Sequence, residues 1–464
     1  MNDKLEQFKK EIKNKKVGVL GIGISNTPLI RYLGSMGVAV TAFDRADREA
    51  LGPVLKSLDG LDVQYSLGPE YLSRLSGFDV IFKTPKVRFD IPELLREAEA
   101  GVEITSEMEV FCKLCPARIF GVTGSDGKTT TTTLIYKILQ QHGYKCWLGG
   151  NIGTPLLDKI DEIDDSDMVV LELSSFQLHT MRNRINTAVV TNLSPNHLDV
   201  HTSMSEYSDA KKNIFLYQNE NDVLVLNYDN DITRSFASEG PGKVIMFSRT
   251  NDLDEGMILA GSSIVYRHSG NETEIVNIND ILIPGVHNIE NYMAAAAATA
   301  DYAAPSDVRA VASSFRGVEH RSEHVRDLNG ISFYNDSIGS SPTRTIASIN
   351  AFRDRVILIA GGYDKHLPYD DMGPVIAEKV KCLVLVGQTS EKIERALKDH
   401  AERTGKGSDI PVIRCSSMED AVNNAYRKAS YGDVILLSPA SASFDMYKNF
   451  EERGNHFKSI VMNL

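Results

Sequence analysis

The chain has 464 residues, of which 42% are hydrophobic and 24% charged, and its formal net charge is −12. That length predicts about three domains, with apolar material for several separate cores. The acidic balance excludes a general nucleic-acid binder, because a phosphate polymer is repelled, but a single nucleotide can still be held by backbone dipoles and a few basic side chains.

The N-terminal stretch MNDKLEQFKKEIKNKK is charged throughout and lacks the apolar segment of a secretory signal. The blandest apolar stretch, Tyr292 to Ala300, is mostly alanine and too short to span a bilayer. A cytoplasmic protein without membrane attachment is expected. Five cysteines, an odd and sparse set, fit a reducing compartment. Cys112 and Cys115 form a lone C-x-x-C with no second pair at zinc spacing, which reads as packing at a domain junction.

Apolar runs at Val17–Leu20, Val38–Phe43 and Val80–Phe82 read as buried strands, and so do Ile119–Val122, Met168–Leu173, Ala188–Thr191 and Val223–Leu226. Val356–Ala360, Leu383–Val386 and Val434–Leu437 continue the series, with helical patterns between most of them. That rhythm predicts an α/β chain of parallel sheets covered by helices on both faces. The pattern is interrupted near Cys112–Arg118 and again near Phe315–Arg321, so three domains are expected at about 1–115, 116–317 and 318–464.

The first strand runs into a glycine turn, Gly21-Ile-Gly23-Ile-Ser-Asn26, with Thr27 and Pro28 opening a helix. A dinucleotide fingerprint needs a third glycine where Asn26 stands, although Asp44 lies where a ribose-binding acid is found. The segment reads as a nucleotide or sugar-nucleotide site, with a plain tight turn as the alternative.

The sharpest local signal is Gly121-Val-Thr123-Gly124-Ser125-Asp126-Gly127-Lys128-Thr129-Thr130, a strand leading through glycines into a helix from Thr131 to Gln141. Glycines allow successive N–H groups to converge on phosphate oxygens, and the helix N-terminus adds its positive end. Lys128 supplies a point charge to the β- and γ-phosphates and Thr129 a hydroxyl to Mg²⁺. The strict spacing of the phosphate-loop motif fails, since Val122 stands where its first glycine belongs. Glu172 ends the strand from Met168, and His197 follows the strand ending at Thr191. Both belong at the C-terminal edge of a parallel sheet, where such folds bind ligands. Lys211 follows Tyr207 by one helical turn.

Together these pieces resemble the Mur ligases of peptidoglycan precursor synthesis. The motifs are TGSDGKTTT at 123–131, GGNIG at 149–153, ELSSFQL at 172–178, TNLSPNHLDVH at 191–201 and Tyr207 to Lys211. PGVHNIEN at 284–291, EHRSE at 319–323, YNDSIGSSPT at 334–343, GGYDK at 361–365 and LSPASASFDMYKNFEERG at 437–454 follow in family order. Within the family the pattern is most similar to the members that add D-glutamate, because no DNPR-type motif of the diamino-acid-adding members occurs.

The resemblance implies a Rossmann-like N-terminal domain, a central P-loop ATPase-like domain with a parallel or mixed sheet, and a Rossmann-like C-terminal domain. It implies an ATP- and Mg²⁺-dependent amide ligase, expected to act as a monomer on UDP-N-acetylmuramoyl-L-alanine and D-glutamate through an acyl phosphate. Gly124, Ser125, Asp126, Gly127, Lys128, Thr129 and Thr130 would hold the ATP phosphates. Thr129 and Glu172 would hold one Mg²⁺, and His197 a second with Lys211, which the family carries as a CO₂-derived carbamate. Asn288 and Asn291 would reach adenine or ribose, with Arg321 and Asp336 placing the nucleotide. Asn151 and Ser174 would face the substrate, and Ser25, Asp44 and Arg45 its uracil and ribose. Lys365, Ser340, Ser443 and Phe450 would form the D-glutamate pocket. Lys128, Lys211, His197 and Lys365 are the implied catalytic set. Three positions depart from the family pattern: Asp126 stands where Asn is frequent, Ile338 where Lys is frequent, and Lys86 where Gly is common. The remaining alternatives are a Mur ligase for another amino acid and, in a different class, a nicotinamide-dependent oxidoreductase using the first glycine turn.

Overall fold

The computed structural model describes residues 2–194 and 203–464. Two compact units emerge, Met1–Ile278 with Glu290–Val311, and Asn279–Ile289 with Ala312–Leu464. The first unit holds two sheets and the second holds one.

The first sheet contains β1 (Lys16–Leu20), β2 (Ala39–Asp44), β3 (Val63–Leu67), β4 (Val80–Lys83) and β5 (Glu103–Thr105), in the order β3-β2-β1-β4-β5 and parallel throughout. Strand order reverses between β1 and β4, which opens a crevice at their C-terminal ends, and the Gly21 turn leaves β1 there. The helix Asn26–Ser35 buries Leu29, Ile30 and Leu33, one stripe at helical spacing.

The second sheet contains β6 (Arg118–Thr123), β7 (Cys146–Gly150), β8 (Met168–Glu172), β9 (Thr187–Val190), β10 (Val223–Asn227), β11 (Lys243–Ser248), β12 (Gly256–Ala260), β13 (Ser263–His268) and β14 (Asn271–Asn277). Its order is β14-β13-β12-β11-β10-β9-β6-β8-β7, and only β13 and β14 run antiparallel to their neighbours. Strands β6 and β8 lie side by side and end at Thr123 and Glu172, so the phosphate-loop candidate and the acid share one edge. The helix Lys128–His142 buries Leu134, Ile135, Ile138 and Leu139 and stops at Gly143, whose φ of +112° suits glycine.

The second unit contains β15 (Glu323–Leu328), β16 (Ile331–Asn335), β17 (Val356–Ala360), β18 (Val380–Val386), β19 (Val412–Cys415) and β20 (Val434–Leu437). The order is β15-β16-β20-β17-β18-β19, with only the β15–β16 hairpin antiparallel. Along β17, Val356, Leu358 and Ala360 pack into one core while Ile357 and Ile359 pack into another. That two-sided burial is why the strand reads as an unbroken apolar run. Among the described residues no helix is long and apolar enough to cross a membrane. Cys112 sits in the core of the first unit, and burial pushes the Cys115 thiol up to about 12, as expected of packing residues.

The two sheets of the first unit share one continuous core, running from Leu5 and Val17 to Leu171 and Leu224. Glu107 opens the helix Glu107–Leu114 and accepts the backbone N–H of Leu157 at 3.0 Å across that junction. Burial pushes its carboxyl up to about 7, while the N–H groups of Leu157 and Leu156 pull it back. The native state therefore holds this proton longer than the unfolded chain, and stability falls as pH rises from about 4.5 through about 7. Glu107→Gln is expected to remove that slope. Urea midpoints at pH 5 and pH 8 check it: relative to the parent, the variant gains at pH 8, and an equal offset at both pH values contradicts the assignment.

Candidate active site at the edge of the second sheet

The loop between β6 and the helix Lys128–His142 is held from below by neighbouring strand ends. Gly124 has φ +147°, and a Cβ there would lie 2.0 Å from Thr191 Oγ1. Gly127 has φ +78°, and its Cβ would lie 2.3 Å from Asn291 Oδ1. Thr191 Oγ1 donates to Asp126 O at 2.6 Å, and Asp126 N donates to Asn192 Oδ1 at 2.9 Å. Ser125 Oγ lies 3.1 Å from Tyr207 Oη and donates to Ser194 O at 3.0 Å. Thr131 Oγ1 donates to Asn291 Oδ1 at 3.2 Å, which ties Asn291 to the first turn of the helix. Thr129 and Thr130 open that helix behind Gly127, half-buried. Lys128 Nζ donates to the carbonyls of Gly124 and Ser125 at 2.9 and 2.8 Å, so its charge lies over the loop. The Asp126 side chain is exposed, where solvent screens the acid that departs from the family pattern.

Beside the loop, Lys211 is 1% exposed and donates to Thr123 Oγ1 at 3.1 Å and Gly124 O at 2.9 Å. Burial holds its amine well below the ordinary lysine range, and Lys128 adds to the effect, while Glu172 and Asp126 oppose it. Glu172 is also buried, at 1% exposure. Its Oε1 accepts from Asn151 Nδ2 at 2.7 Å, but its Oε2 is buried and has no hydrogen-bond partner among the described residues. An orphaned carboxylate oxygen is costly in a protein interior and suits a hard cation. Among the described residues no three His, Cys, Asp or Glu side chains converge as a ready-made metal centre. A cation here would draw on Glu172, the Thr129 hydroxyl and the oxygens of a bound triphosphate. Lys128, Glu172, Asn151 and Lys211 are thus gathered at one sheet edge. His197 lies outside the described residues.

Ser174 caps the short helix Ser175–Leu178 through a capping box with Gln177. In the first sheet Asp44 shapes the Gly21 turn, with Oδ2 accepting from Ile22 N at 2.7 Å and Oδ1 from Ala46 N at 2.8 Å. Each oxygen keeps a second lone pair for a sugar hydroxyl. Asn26 fills the place of the third fingerprint glycine and donates to the carbonyls of Leu20 and Gly21 at 2.9 and 3.0 Å. Ser25 flanks that turn half-buried, and Arg45 is exposed.

In the second unit, Asp336 is buried and accepts from Ser322 N, Ser348 Oγ and Ser438 Oγ. Burial pushes its carboxyl up, while these donors and the charge of Arg321 pull it back. Arg321 is flanked by His320 and Ser322, non-glycine residues at φ +62° and +42°, so a strained turn presents it. Ser340 and Ile338 follow Asp336 in one turn, half-buried. Ser443 is buried, Phe450 begins the helix Phe450–Met462, and Lys365 lies exposed with its Nζ 5.7 Å from the Phe444 ring centre. Asn288 donates to Pro284 O at 2.6 Å.

Sequence reasoning did not single out Arg453. It is 1% exposed and donates to Ser337 O and Oγ and to the carbonyls of Ser441 and Ala442, at 2.8 to 3.0 Å. It therefore fastens the turn after Asp336 to the loop carrying Ser443. Its spacing from Phe450, one helical turn, was the available signal. Thr191 and Asn192 open the TNLSPNHLDVH motif, and the structure shows them holding the phosphate-loop candidate.

Comparison with known proteins places two family models on the chain, the Mur ligase middle domain at residues 122–299 and the Mur ligase glutamate ligase domain at residues 320–441. The chain is 65% identical over 461 residues to the UDP-N-acetylmuramoylalanine–D-glutamate ligase of Acetivibrio thermocellus, covering 99% of each chain. It is 60% identical to the protein of the same name from Ruminiclostridium cellulolyticum, covering all of both. Among solved structures it resembles the UDP-N-acetylmuramate–alanine ligase of Thermotoga maritima, with TM-score 0.59 and 18% identity over 97% of this chain and 100% of that one.

The two loop glycines generate a direct expectation. Gly124→Ala forces a Cβ onto Thr191 in a backbone region alanine avoids, at a cost of about 1–3 kcal/mol. Calorimetry should show a lowered melting midpoint and a weaker response to added ATP than the parent's. A midpoint and an ATP response equal to the parent's would refute this placement of the loop.

Proposed function

The chain belongs to the Mur ligase family, and from that premise we propose that it uses ATP to join D-glutamate to the L-alanyl carboxylate of UDP-N-acetylmuramoyl-L-alanine. The observation that carries the reading is the convergence of Lys128, Lys211 and a half-satisfied Glu172 beside a glycine-lined loop. A carboxylate is a poor acyl donor at neutral pH, so it must acquire a leaving group. Its oxygen attacks the γ-phosphorus of ATP, the bond to ADP breaks, and an acyl phosphate forms. The amine of D-glutamate then adds to the acyl carbon, phosphate departs, and the amine proton passes to solvent. Such a transfer depends mainly on positioning and charge neutralisation.

In this reading the backbone of Gly124 to Thr130 cradles the phosphates and Lys128 follows the transferring group. Thr129 and Glu172 would hold Mg²⁺, which would supply charge neutralisation between the phosphates. Burial favours the uncharged amine of Lys211, and an uncharged amine is the form that adds CO₂, giving the anionic carbamate of the family and releasing one proton. With His197 it would provide a second cation site. Asn151 and Ser174 are assigned to the substrate, and Ser25, Asp44 and Arg45 to its uridine end. Asn288, Asn291, Arg321 and Asp336 are assigned to the nucleotide, and Lys365, Ser340, Ser443 and Phe450 to D-glutamate. The three domains, 1–115, 116–317 and 318–464, are assigned to UDP-substrate, ATP and amino acid. The protein is proposed to work as a monomer in the cytoplasm.

Phosphate release with UDP-N-acetylmuramoyl-L-alanine, ATP, Mg²⁺ and a panel of amino acids tests the reading. D-Glutamate should stimulate release, and Lys128→Ala should lower kcat by at least about a hundredfold. Stimulation by L-alanine or a diamino acid, without response to D-glutamate, overturns the assignment.

A further inference from the structure

The loop after β4 reaches the helix Met204–Lys212 through Arg88. Arg88 Nη2 lies 3.0 Å from Glu206 Oε1, and the same guanidinium grips Asp90 through Nε and Nη2 at 2.8 and 2.7 Å. His179 Nε2 stands 3.4 Å from the same Glu206 oxygen, and Phe89 meets the His179 ring edge-on at 4.8 Å. The Arg88 and Glu206 side chains are 27% and 17% exposed, so the pair is sheltered more than an ordinary surface bridge.

Each end of this contact leads to a different part of the site. Upstream, Thr84 N donates to Leu20 O at 3.0 Å, and the Thr84 side chain packs so close to Gly21 that a Cβ there would lie 2.8 Å from Thr84 Cγ2. A turn from Thr84 O to Val87 N, 3.1 Å, keeps the link to Arg88 short. Downstream, Glu206 lies in the first turn of a helix capped by Ser203, next to Tyr207 and five residues before Lys211. Those two residues touch Ser125 and Gly124.

We propose that Arg88 is a positioning residue, whose bridge to Glu206 sets the spacing between the Gly21 turn and the helix that carries Tyr207 and Lys211. The proposal rests on the ligase reading above, in which the first holds the sugar nucleotide and the second serves the phosphates. The bridge bears on the first turn of the helix whose Tyr207 and Lys211 meet the phosphate loop. Its loss misaligns two bound substrates and leaves either able to bind alone.

Arg88→Ala, Glu206→Gln, their double variant and Arg88→Lys test this in the full chain. Each single loss should lower kcat about two- to fivefold, with the KM for ATP unchanged and the double variant no worse than either single one. Arg88→Lys, which keeps a charge, should recover part of the rate. Hydrogen exchange of the backbone at 204–212 measures the strap without any turnover, and should quicken in Arg88→Ala. Unchanged exchange, or additive losses in the double variant, overturns the proposal. A parent enzyme that ignores D-glutamate but whose helix loosens in Arg88→Ala overturns the ligase reading and leaves the strap standing.

Discussion

The constraint on which this molecule turns is a buried carboxylate left half satisfied near a buried lysine. Glu172 gives one oxygen to Asn151 and none of the described residues meets the other. Burial disfavours the charged form of Lys211 beside it, Lys128 adds to that effect, and Glu172 opposes it. A purely structural interior would pair these groups or replace them with apolar ones. The surrounding fold does neither. Parallel strands β6 and β8 deliver Thr123 and Glu172 side by side, and glycines at 124 and 127 let the chain turn within van der Waals reach of Thr191 and Asn291.

The second unit meets a similar problem with another solution. Asp336 and Arg453 are both buried charges, and each is surrounded by hydrogen bonds, from hydroxyls in one case and to carbonyls in the other. Burial still pushes Arg453 down to about 10. These residues hold the turns bearing Ser340 and Ser443 in shape, while Lys365 remains outside and exposed. Ile338, half-buried in the turn after Asp336, brings no charge to this region.

Central strands were legible because both of their faces are buried: Val356–Ala360 and Val434–Leu437 are apolar runs bounded by turns. Edge strands were not, since β3 is half exposed along Val63-Gln-Tyr-Ser-Leu and β14 begins with four exposed polar residues, Asn271 to Glu274. Periodicity cannot announce a strand that has neither an apolar run nor a clean alternation of apolar and polar residues. The phosphate loop could be read because its chemistry is local. The motifs holding Thr191, Asn192 and Asn291 were also legible, but not their hydrogen bonds to the loop and its helix, which join positions far apart in sequence. Asn26 was read as a defect in a dinucleotide fingerprint. The structure gives it a use, as the amide that ties the turn back to the end of β1.

Magnesium dependence of nucleotide affinity examines the orphaned oxygen most directly. Calorimetric titration of ATP into the parent and into Glu172→Gln, with and without Mg²⁺, separates metal holding from turnover. The account expects Mg²⁺ to tighten ATP binding to the parent and the substitution to erase about tenfold or more of that gain, with metal-free affinity unchanged. Equal Mg²⁺ enhancement in both proteins would contradict it.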